Sequence, residues 1–303
     1  VQAESFDYPE VFFEKIIHTI ARPRADKTEL TNAIEVLKNA KRPLIIAGGG
    51  VHYSRAEKEL AAFATAHNIP VVETVAGKAS LLASHALNAG PIGVTGCTSA
   101  NALAAQSDVV VALGTRLQDF TTGSWTIFTN EKTVFIGVNT ARFDAVKHRS
   151  LPVVGDVREI IAEFNAHLGK WRSDEVWSKL AQKETVGYHT YIDGIASKNA
   201  ASLATYAQVV GVVDRAAQPN DYVLTAAGGF PGELNNGWRA KSLDSFDCEY
   251  GFSCMGYELS GAWGAKMAMP EREVISLVGD GSYMMMNSDI YSSVLYGHKL
   301  IVI

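Results

Sequence analysis

Val274-Ile275-Ser276-Leu277-Val278-Gly279-Asp280-Gly281-Ser282 is a short apolar strand that runs directly into a glycine-flanked aspartate and a helix start. A strand this apolar, entering a turn with no polar spacer, belongs in a parallel sheet covered on both faces. The helix predicted after it runs to about Tyr296, where Gly297 stops it and a last strand begins at Leu300. Upstream, Tyr222-Val223-Leu224-Thr225 is another such strand and ends in Ala226-Ala227-Gly228-Gly229. Before it, Thr205 and Gln208 have capping-box spacing and open a helix to about Gln218.

Further toward the N-terminus the same alternation repeats. Asp26 with Glu29 has capping-box spacing, and Leu30, Ile34 and Leu37 share one helical face. Pro43-Leu44-Ile45-Ile46-Ala47 is a strand followed by a turn at Gly48-Gly49-Gly50, and Ser54 with Glu57 predicts a capped helix to about His67. Strands over 70–74, 108–114, 133–138 and 151–155 follow, with helices over 99–106 and 157–168. The fold class is α/β: two consecutive parallel-sheet, three-layer domains. The boundaries expected are a linker over 1–24 with a short helix at 11–20, a Rossmann-like central domain over 25–168, a second linker with some helix over 169–200, and a second α/β domain over 201–303.

Composition narrows the partners. The chain has 303 residues, 47% hydrophobic and 19% charged, enough apolar material for two cores. With 27 Lys and Arg against 32 Asp and Glu, and Lys38 to Arg42 as the only dense cationic stretch, nucleic acid is not an expected partner. Cys97, Cys248 and Cys254 form no CxxC pair, so neither a disulfide framework nor a zinc site is expected and a reducing cytoplasm is the natural compartment. No apolar run approaches the ~20 residues that cross a bilayer, so no membrane partner is expected. Val1 to Glu14 is mixed and acidic, unlike a signal peptide. The chain starts without Met and stops inside a strand-like run, Leu300 to Ile303, which leads to the expectation of a fragment.

The chemistry sits at glycine-rich strand ends. Ligands in open parallel sheets bind at the carboxyl ends of strands. Gly279 and Gly281 let the backbone come close, the amides at the Ser282 helix start suit a phosphate, and Asp280 is a hard oxygen ligand suited to a Mg²⁺ that bridges a diphosphate. A Gly-Asp β-turn without ligand is the plain alternative for this tetrapeptide alone. Gly228-Gly229-Phe230-Pro231-Gly232 and Gly251 to Gly256 lie in the same domain, and three glycine-rich segments in one sheet suit a phosphate cradle better than three unrelated turns.

Gly279-Asp280-Gly281-Ser282 resembles the diphosphate motif of thiamine-diphosphate enzymes, which starts with Gly-Asp-Gly and ends about two dozen residues later in an Asn. In that family the Asp and the Asn both bind Mg²⁺; here the Asn would fall beyond Ile303. Gly251-Phe252-Ser253-Cys254-Met255-Gly256 resembles the Gly-x-Gly-x-Met-Gly segment of the acetolactate-synthase-like members, with Ser253 where relatives have Gly. The resemblance places Met255 as the apolar wedge under the cofactor and the Ser253 carbonyl toward the aminopyrimidine; core packing is the other reading of Met255. It implies cofactor contacts from Gly228, Gly229, Phe230, Ser253, Met255, Gly279, Gly281 and Ser282, with Asp280 on the metal. Longer likenesses, Ile45 to Val51, Gly114 to Trp125, Glu249 to Glu258 and Gly279 to Ser288, are similar to the inositol-catabolic hydrolases of the family. These act on a polyhydroxy cyclic diketone, a trihydroxycyclohexane-1,2-dione, and cleave the bond between its adjacent ketones.

The resemblance further implies a homodimer or homotetramer, with the cofactor held between subunits. The activating glutamate would belong to a preceding pyrimidine-binding domain, so no catalytic residue is assigned in this chain, which is expected to be inactive alone. Two other functions stay open: a carboligase acting on pyruvate, and a non-catalytic nucleotide-binding or assembly module. For the latter, Gly48-Gly49-Gly50 lacks the glycine of a dinucleotide fingerprint at Tyr53, and the site that related synthases form near Gly114-Thr115-Arg116 is read as vestigial. The eight histidines show no ligand spacing, and Cys254 reads as a small hydrophobe.

Overall fold

The structure, a computed structural model, describes residues 3–198 and 203–303. Residues 199–202, where the expected second linker meets the expected second domain, lie outside the described residues.

The first sheet contains β1 (Pro43–Ala47), β2 (Val71–Glu73), β3 (Asn88–Pro91), β4 (Val109–Leu113), β5 (Val134–Asn139) and β6 (Leu151–Val154), all parallel, in the order β3-β2-β1-β4-β5-β6. Its helices are α1 (Lys27–Lys38), α2 (Gly49–Ser54), α3 (Glu57–His67), α4 (Thr98–Gln106), the one-turn α5 (Asp119–Thr122) and α6 (Arg142–Ala145), α7 (Val157–Leu168) and α8 (Glu175–Ala196). Strand residues alternate between two cores. Val109, Val111 and Leu113 meet α1, α3 and α7 on one face; Val110 and Ala112 meet α4 and α8 on the other. Both faces are therefore dry, which is why the strands carry uninterrupted apolar runs.

The second sheet is smaller: β7 (Tyr222–Thr225), β8 (Phe246–Cys248), β9 (Val274–Ser276) and β10 (Ile301–Val302), parallel in the order β10-β9-β7-β8. Its helices are α9 (Tyr206–Ala216), α10 (Phe230–Gly237), α11 (Tyr257–Ala268), α12 (Asp280–Met286) and α13 (Ser288–Leu295). Val223 and Ile275 face α9 and α10, while Leu224 and Val274 face α11. Two parallel three-layer α/β units are the architecture.

Several local expectations change. Thr205 and Gln208 do form a reciprocal capping box. Ser54 and Glu57 do not: Ser54 is the last residue of α2, and its hydroxyl donates to Asp156 at 3.0 Å, while Glu57 pairs with His52 at 3.0 Å. The glycine triplet is thus not a free turn but the start of a helix. Among the described residues of the N-terminal segment the only helical turn is Glu10–Phe13, because Ile16, Ile17 and Ile20 find no core to pack on and stay exposed. The helix expected after the Gly279–Ser282 turn, to about Tyr296, is two helices that meet at Asn287, and the first already begins at Asp280. Most of 169–200 is the 22-residue α8. Its Trp177 indole donates to the Pro43 carbonyl at 2.7 Å, and Trp177, Ala181 and Tyr188 complete one face of the first sheet. It is a layer of the fold rather than a tether. β3 and β8 carry almost no strand pattern, since Asn88-Ala89-Gly90-Pro91 and Phe246-Asp247-Cys248 are edge strands held by neighbours rather than by β-propensity.

The two units are docked along the loop after β2. Ala79, held in the left-handed region at φ 67°, enters the core of the second unit beside Val210 and Phe246. Backbone bonds from Asp244 N–H to the Ala79 carbonyl (3.2 Å) and from Ala83 N–H to the Ala240 carbonyl (3.0 Å) close the seam.

Gly50 explains itself by contact. A Cβ there would sit 2.6 Å from Gly114 Cα, at the point where the β1 and β4 strand ends touch and Gly50 N–H donates to the Gly114 carbonyl at 3.0 Å. Gly50→Ala is expected to destabilise the protein by about 1–3 kcal/mol through overpacking, read as a lower urea midpoint at unchanged slope; a midpoint equal to wild type would show that the two loops can separate freely.

Candidate functional site

In the second sheet the chain leaves β7 toward β8 on one side and reaches β9 on the other, so the switch point lies between β7 and β9. Ligands bind in the crevice outside such a point. The loops that open there are Ala226–Gly229 after β7 and Leu277–Gly279 after β9. The segment Glu249–Gly256 leaves β8 at the same sheet edge. The fold therefore brings the three glycine-rich segments together.

One carboxylate ties two of them. Glu258, in the first turn of α11, is fully buried, and its Oε1 accepts from Ala227 N–H at 2.9 Å while Oε2 accepts from Gly256 N–H at 3.0 Å. Its own carbonyl accepts from the Ser276 hydroxyl at 2.7 Å, which links α11 to β9. Thr225, at the end of β7, donates to the Leu277 carbonyl at 3.0 Å. A buried carboxylate is stable only when hydrogen-bonded, and here both oxygens are satisfied by main chain. The negative charge also lies near the N-terminus of α11, the favourable end.

A second carboxylate shapes the exposed loop. Glu249 accepts from Phe252 N–H at 3.1 Å and from Cys254 N–H at 2.6 Å. These backbone bonds, the one from Cys254 foremost, hold its carboxyl below the ordinary range. Ser253, between them, takes φ 52°, a left-handed conformation that a glycine would adopt without penalty. Gly256 needs its glycine twice over: its φ is 95°, and a Cβ would meet Met286 Cγ at 2.4 Å.

The residues singled out by sequence fall as follows. Gly228 and Gly279 face open space, with nothing within 4 Å of where a Cβ would be. Gly229 is closed on one side, where a Cβ would meet Tyr206 at 2.4 Å. Phe230 is buried edge-on against that same tyrosine, so its ring supports the loop instead of presenting a surface. Met255 is half-exposed, and its Cε lies 3.1 Å from where a Gly281 Cβ would be, which sets Met255 over the Gly-Asp-Gly turn. Ser282 is buried. Asp280 is exposed; one oxygen accepts from Gly281 N–H at 2.9 Å and the other has no hydrogen-bond partner among the described residues. No cluster of three or more His, Cys, Asp or Glu able to hold a metal occurs among the described residues, so Asp280 stands as a single carboxylate. Asp280, Gly281 and Met255 are together; Phe230 and Ser282 are packed away from the open face. Glu249 and Glu258 were missed, although both are acidic residues set among apolar and glycine neighbours, which was the available signal.

A larger concavity, about 590 Å³, lies at the switch point of the first sheet, between β1 and β4. Gly49, Gly50, Gly114 and Arg116 line it from the first unit, and Cys248 and Tyr250 from the second. Gly48 and Gly50 are consumed by the contact with Gly114, Tyr53 stands exposed at its rim, and Asp144 and Asp156 also line it.

The chain matches two family models, "Thiamine pyrophosphate enzyme, central domain" over residues 30–164 and "Thiamine pyrophosphate enzyme, C-terminal TPP binding domain" over residues 226–303. It is 38% identical over 326 residues to a 3D-(3,5/4)-trihydroxycyclohexane-1,2-dione hydrolase of Clostridium botulinum, with all of this chain and 51% of that protein aligned. A protein of the same description from Clostridium perfringens is 38% identical over 323 residues (99% and 50%), and one from Bacillus cereus is 36% identical over 332 residues (100% and 51%). The chain spans about half the length of the curated relatives it matches. No helix among the described residues is long and apolar enough to cross a membrane.

Glu258→Gln keeps the size but sets an amide N–H₂ against a backbone N–H that needs an acceptor. The expected cost is about 1–3 kcal/mol, measured by denaturant unfolding, with the backbone amide signals of Ala227 and Gly256 moving; unchanged stability and unmoved signals would remove Glu258 as the tie. The lowered carboxyl of Glu249 makes a separate prediction. Its contribution to loop order is complete above the ordinary carboxylate range near pH ~4.3, and is lost as pH falls through the lower folded value. The Cys254 amide proton should therefore titrate with a midpoint below that of an ordinary Glu; an ordinary midpoint would place the carboxylate in water.

Proposed function

The chain belongs to the thiamine pyrophosphate enzyme family through its central and C-terminal domains, and on that premise we propose that the whole protein is a hydrolase that opens 3D-(3,5/4)-trihydroxycyclohexane-1,2-dione between its adjacent ketones to give 5-deoxy-D-glucuronate in inositol breakdown. The observation that carries this reading is identity of 36–38% along the whole chain to hydrolases described by that substrate. Thiamine diphosphate with Mg²⁺ is the cofactor set, the protein works as a homodimer or homotetramer, and it is cytoplasmic. Three free cysteines agree with a reducing compartment.

The residues fit the cofactor. Gly228 and Gly279 leave open space beside two strand ends, as close approach of a diphosphate requires. Asp280 offers a hard, exposed oxygen to Mg²⁺, which takes one or two carboxylates together with phosphate oxygens and water. A lone carboxylate with no acidic cluster around it suits that shared coordination and does not suit an all-protein cage. Met255, over the turn, presents an apolar side chain to whatever lies there. Ser253, in its left-handed conformation, fixes where its carbonyl points. The chemistry supplied by the bound cofactor is an electron sink for the pair released when the bond between the ketones breaks. Glu258 and Glu249 hold the loops in one arrangement, so the site is shaped before ligand arrives.

A second reading, nucleotide binding in the central domain, has the 590 Å³ concavity in its favour. Against it, the glycines that would approach a phosphate are closed against Gly114, and two aspartates line the same space. Carboligation of pyruvate would use the same glycine segments, and nothing in the fold favours it.

Asp280→Ala in the full-length protein is expected to weaken thiamine-diphosphate binding in the presence of Mg²⁺ by at least tenfold, about 1.4 kcal/mol, and to abolish the Mg²⁺ dependence seen by calorimetry. Loss of the cyclic diketone followed by absorbance, with pyruvate as control, tests the substrate. Cofactor affinity untouched by the substitution would remove Asp280 from the metal; turnover of pyruvate alone would replace hydrolysis by carboligation.

A further inference from the structure

The seam between the two α/β units holds a small, partly open space of about 20 Å³, lined among others by Glu73, Lys78, Asn88, Tyr188, Trp238 and Arg239. We propose that this space is a built site for one ordered water molecule, held by the Lys78 ammonium, the Trp238 indole N–H and the Glu73 carboxylate. Its size admits one water, which needs roughly 10–15 Å³, and leaves no room for a larger ligand.

The polar groups around it call for such a molecule. Trp238 is buried, and its indole N–H has no hydrogen-bond partner among the described residues. Lys78 is buried too, with no hydrogen bond or salt bridge from its ammonium among the described residues, and its Nζ lies over the face of the Phe246 ring, 5.7 Å from the centroid. Glu73, on β2, accepts on Oε1 from Leu81 N–H at 3.0 Å and from the Ser80 hydroxyl at 3.3 Å, but on Oε2 only from Asn88 at 3.4 Å. One carboxylate oxygen therefore keeps acceptor capacity. Burial drives Glu73 up and Lys78 down, each opposed by the other's charge. A water accepts two hydrogen bonds and donates two. Trp238 and Lys78 supply the donors and Glu73 an acceptor, three of the four bonds. The water closes an ion pair that the side chains do not close directly.

The location gives it a role. Lys78 and Glu73 belong to the first unit, and Trp238 and Arg239 to the second, so the water spans the seam next to the Asp244–Ala79 backbone bond.

The test uses the full-length protein in two ways. A crystal structure that resolves ordered solvent should show one peak within hydrogen-bond reach of Lys78 Nζ, Trp238 Nε1 and Glu73. In solution, oxygen-17 magnetic relaxation dispersion should count one fewer long-lived water in Trp238→Phe, which keeps the ring and drops the N–H, and in Lys78→Met, which keeps the length and drops the charge. A dry cavity with Lys78 Nζ on a protein acceptor, a peak with the anomalous signal of chloride, or a water count unchanged in Trp238→Phe would each overturn the proposal. The wild-type structure decides the question even if Lys78→Met fails to fold.

Discussion

The second half of the molecule depends on one buried carboxylate. Glu258 is inaccessible to solvent, yet it accepts main-chain hydrogen bonds from the end of β7 and from the loop that precedes α11. A glycine-rich loop is entropically expensive to hold still, since glycine gives up more conformational freedom than any other residue. Here the cost is offset by an acceptor that reaches two loops at once, while Ser276 and Thr225 join the same strand ends by side-chain bonds to carbonyls. The result is a hydrogen-bonded rim around open glycines.

The same logic governs the first sheet with different means. There the strand ends meet through bare backbone: Gly48 and Gly50 against Gly114, at contacts no side chain could tolerate. Two switch points, built alike, have diverged in what they leave open. In the second sheet the glycines face space; in the first they face each other, and the concavity is walled by Tyr53, Arg116 and aspartates. The chemistry proposed for this family member therefore sits in the smaller domain, with the larger one as its support. The seam between them is not a passive contact, since Ala79 completes the core of the neighbouring unit from a strained backbone conformation.

Legibility in the sequence follows the strength of the local signal. The central strands β1, β4, β5 and β7 are apolar runs and were readable, because burial on both faces writes itself into every residue. The edge strands β3 and β8 were not, because three or four residues such as Asn88-Ala89-Gly90-Pro91 become a strand only when a neighbour offers hydrogen bonds. Ser54 and Glu57 had the right spacing for a cap, but Asp156, a hundred residues away, claimed the serine. The polar stretch after Leu168 read as a linker, since one buried stripe of Trp177, Ala181 and Tyr188 is thin evidence until the sheet it covers is known.

By itself the sequence determined the class of the fold, the order of its central strands, the three glycine-rich segments and the aspartate among them, since each is a matter of residue type and short spacing. Only the tertiary structure decided which of those glycines face open space, as Gly228 and Gly279 do, and which are closed against side chains, as Gly229 and Gly256 are. It also decided that Phe230 turns into the core, and that Glu258 and Glu249 are the groups that hold the loops. The reason is physical: hydrophobic periodicity is local and repeated, whereas a hydrogen bond from a carboxylate to a backbone amide some thirty residues away leaves no pattern until the sheet has placed both ends.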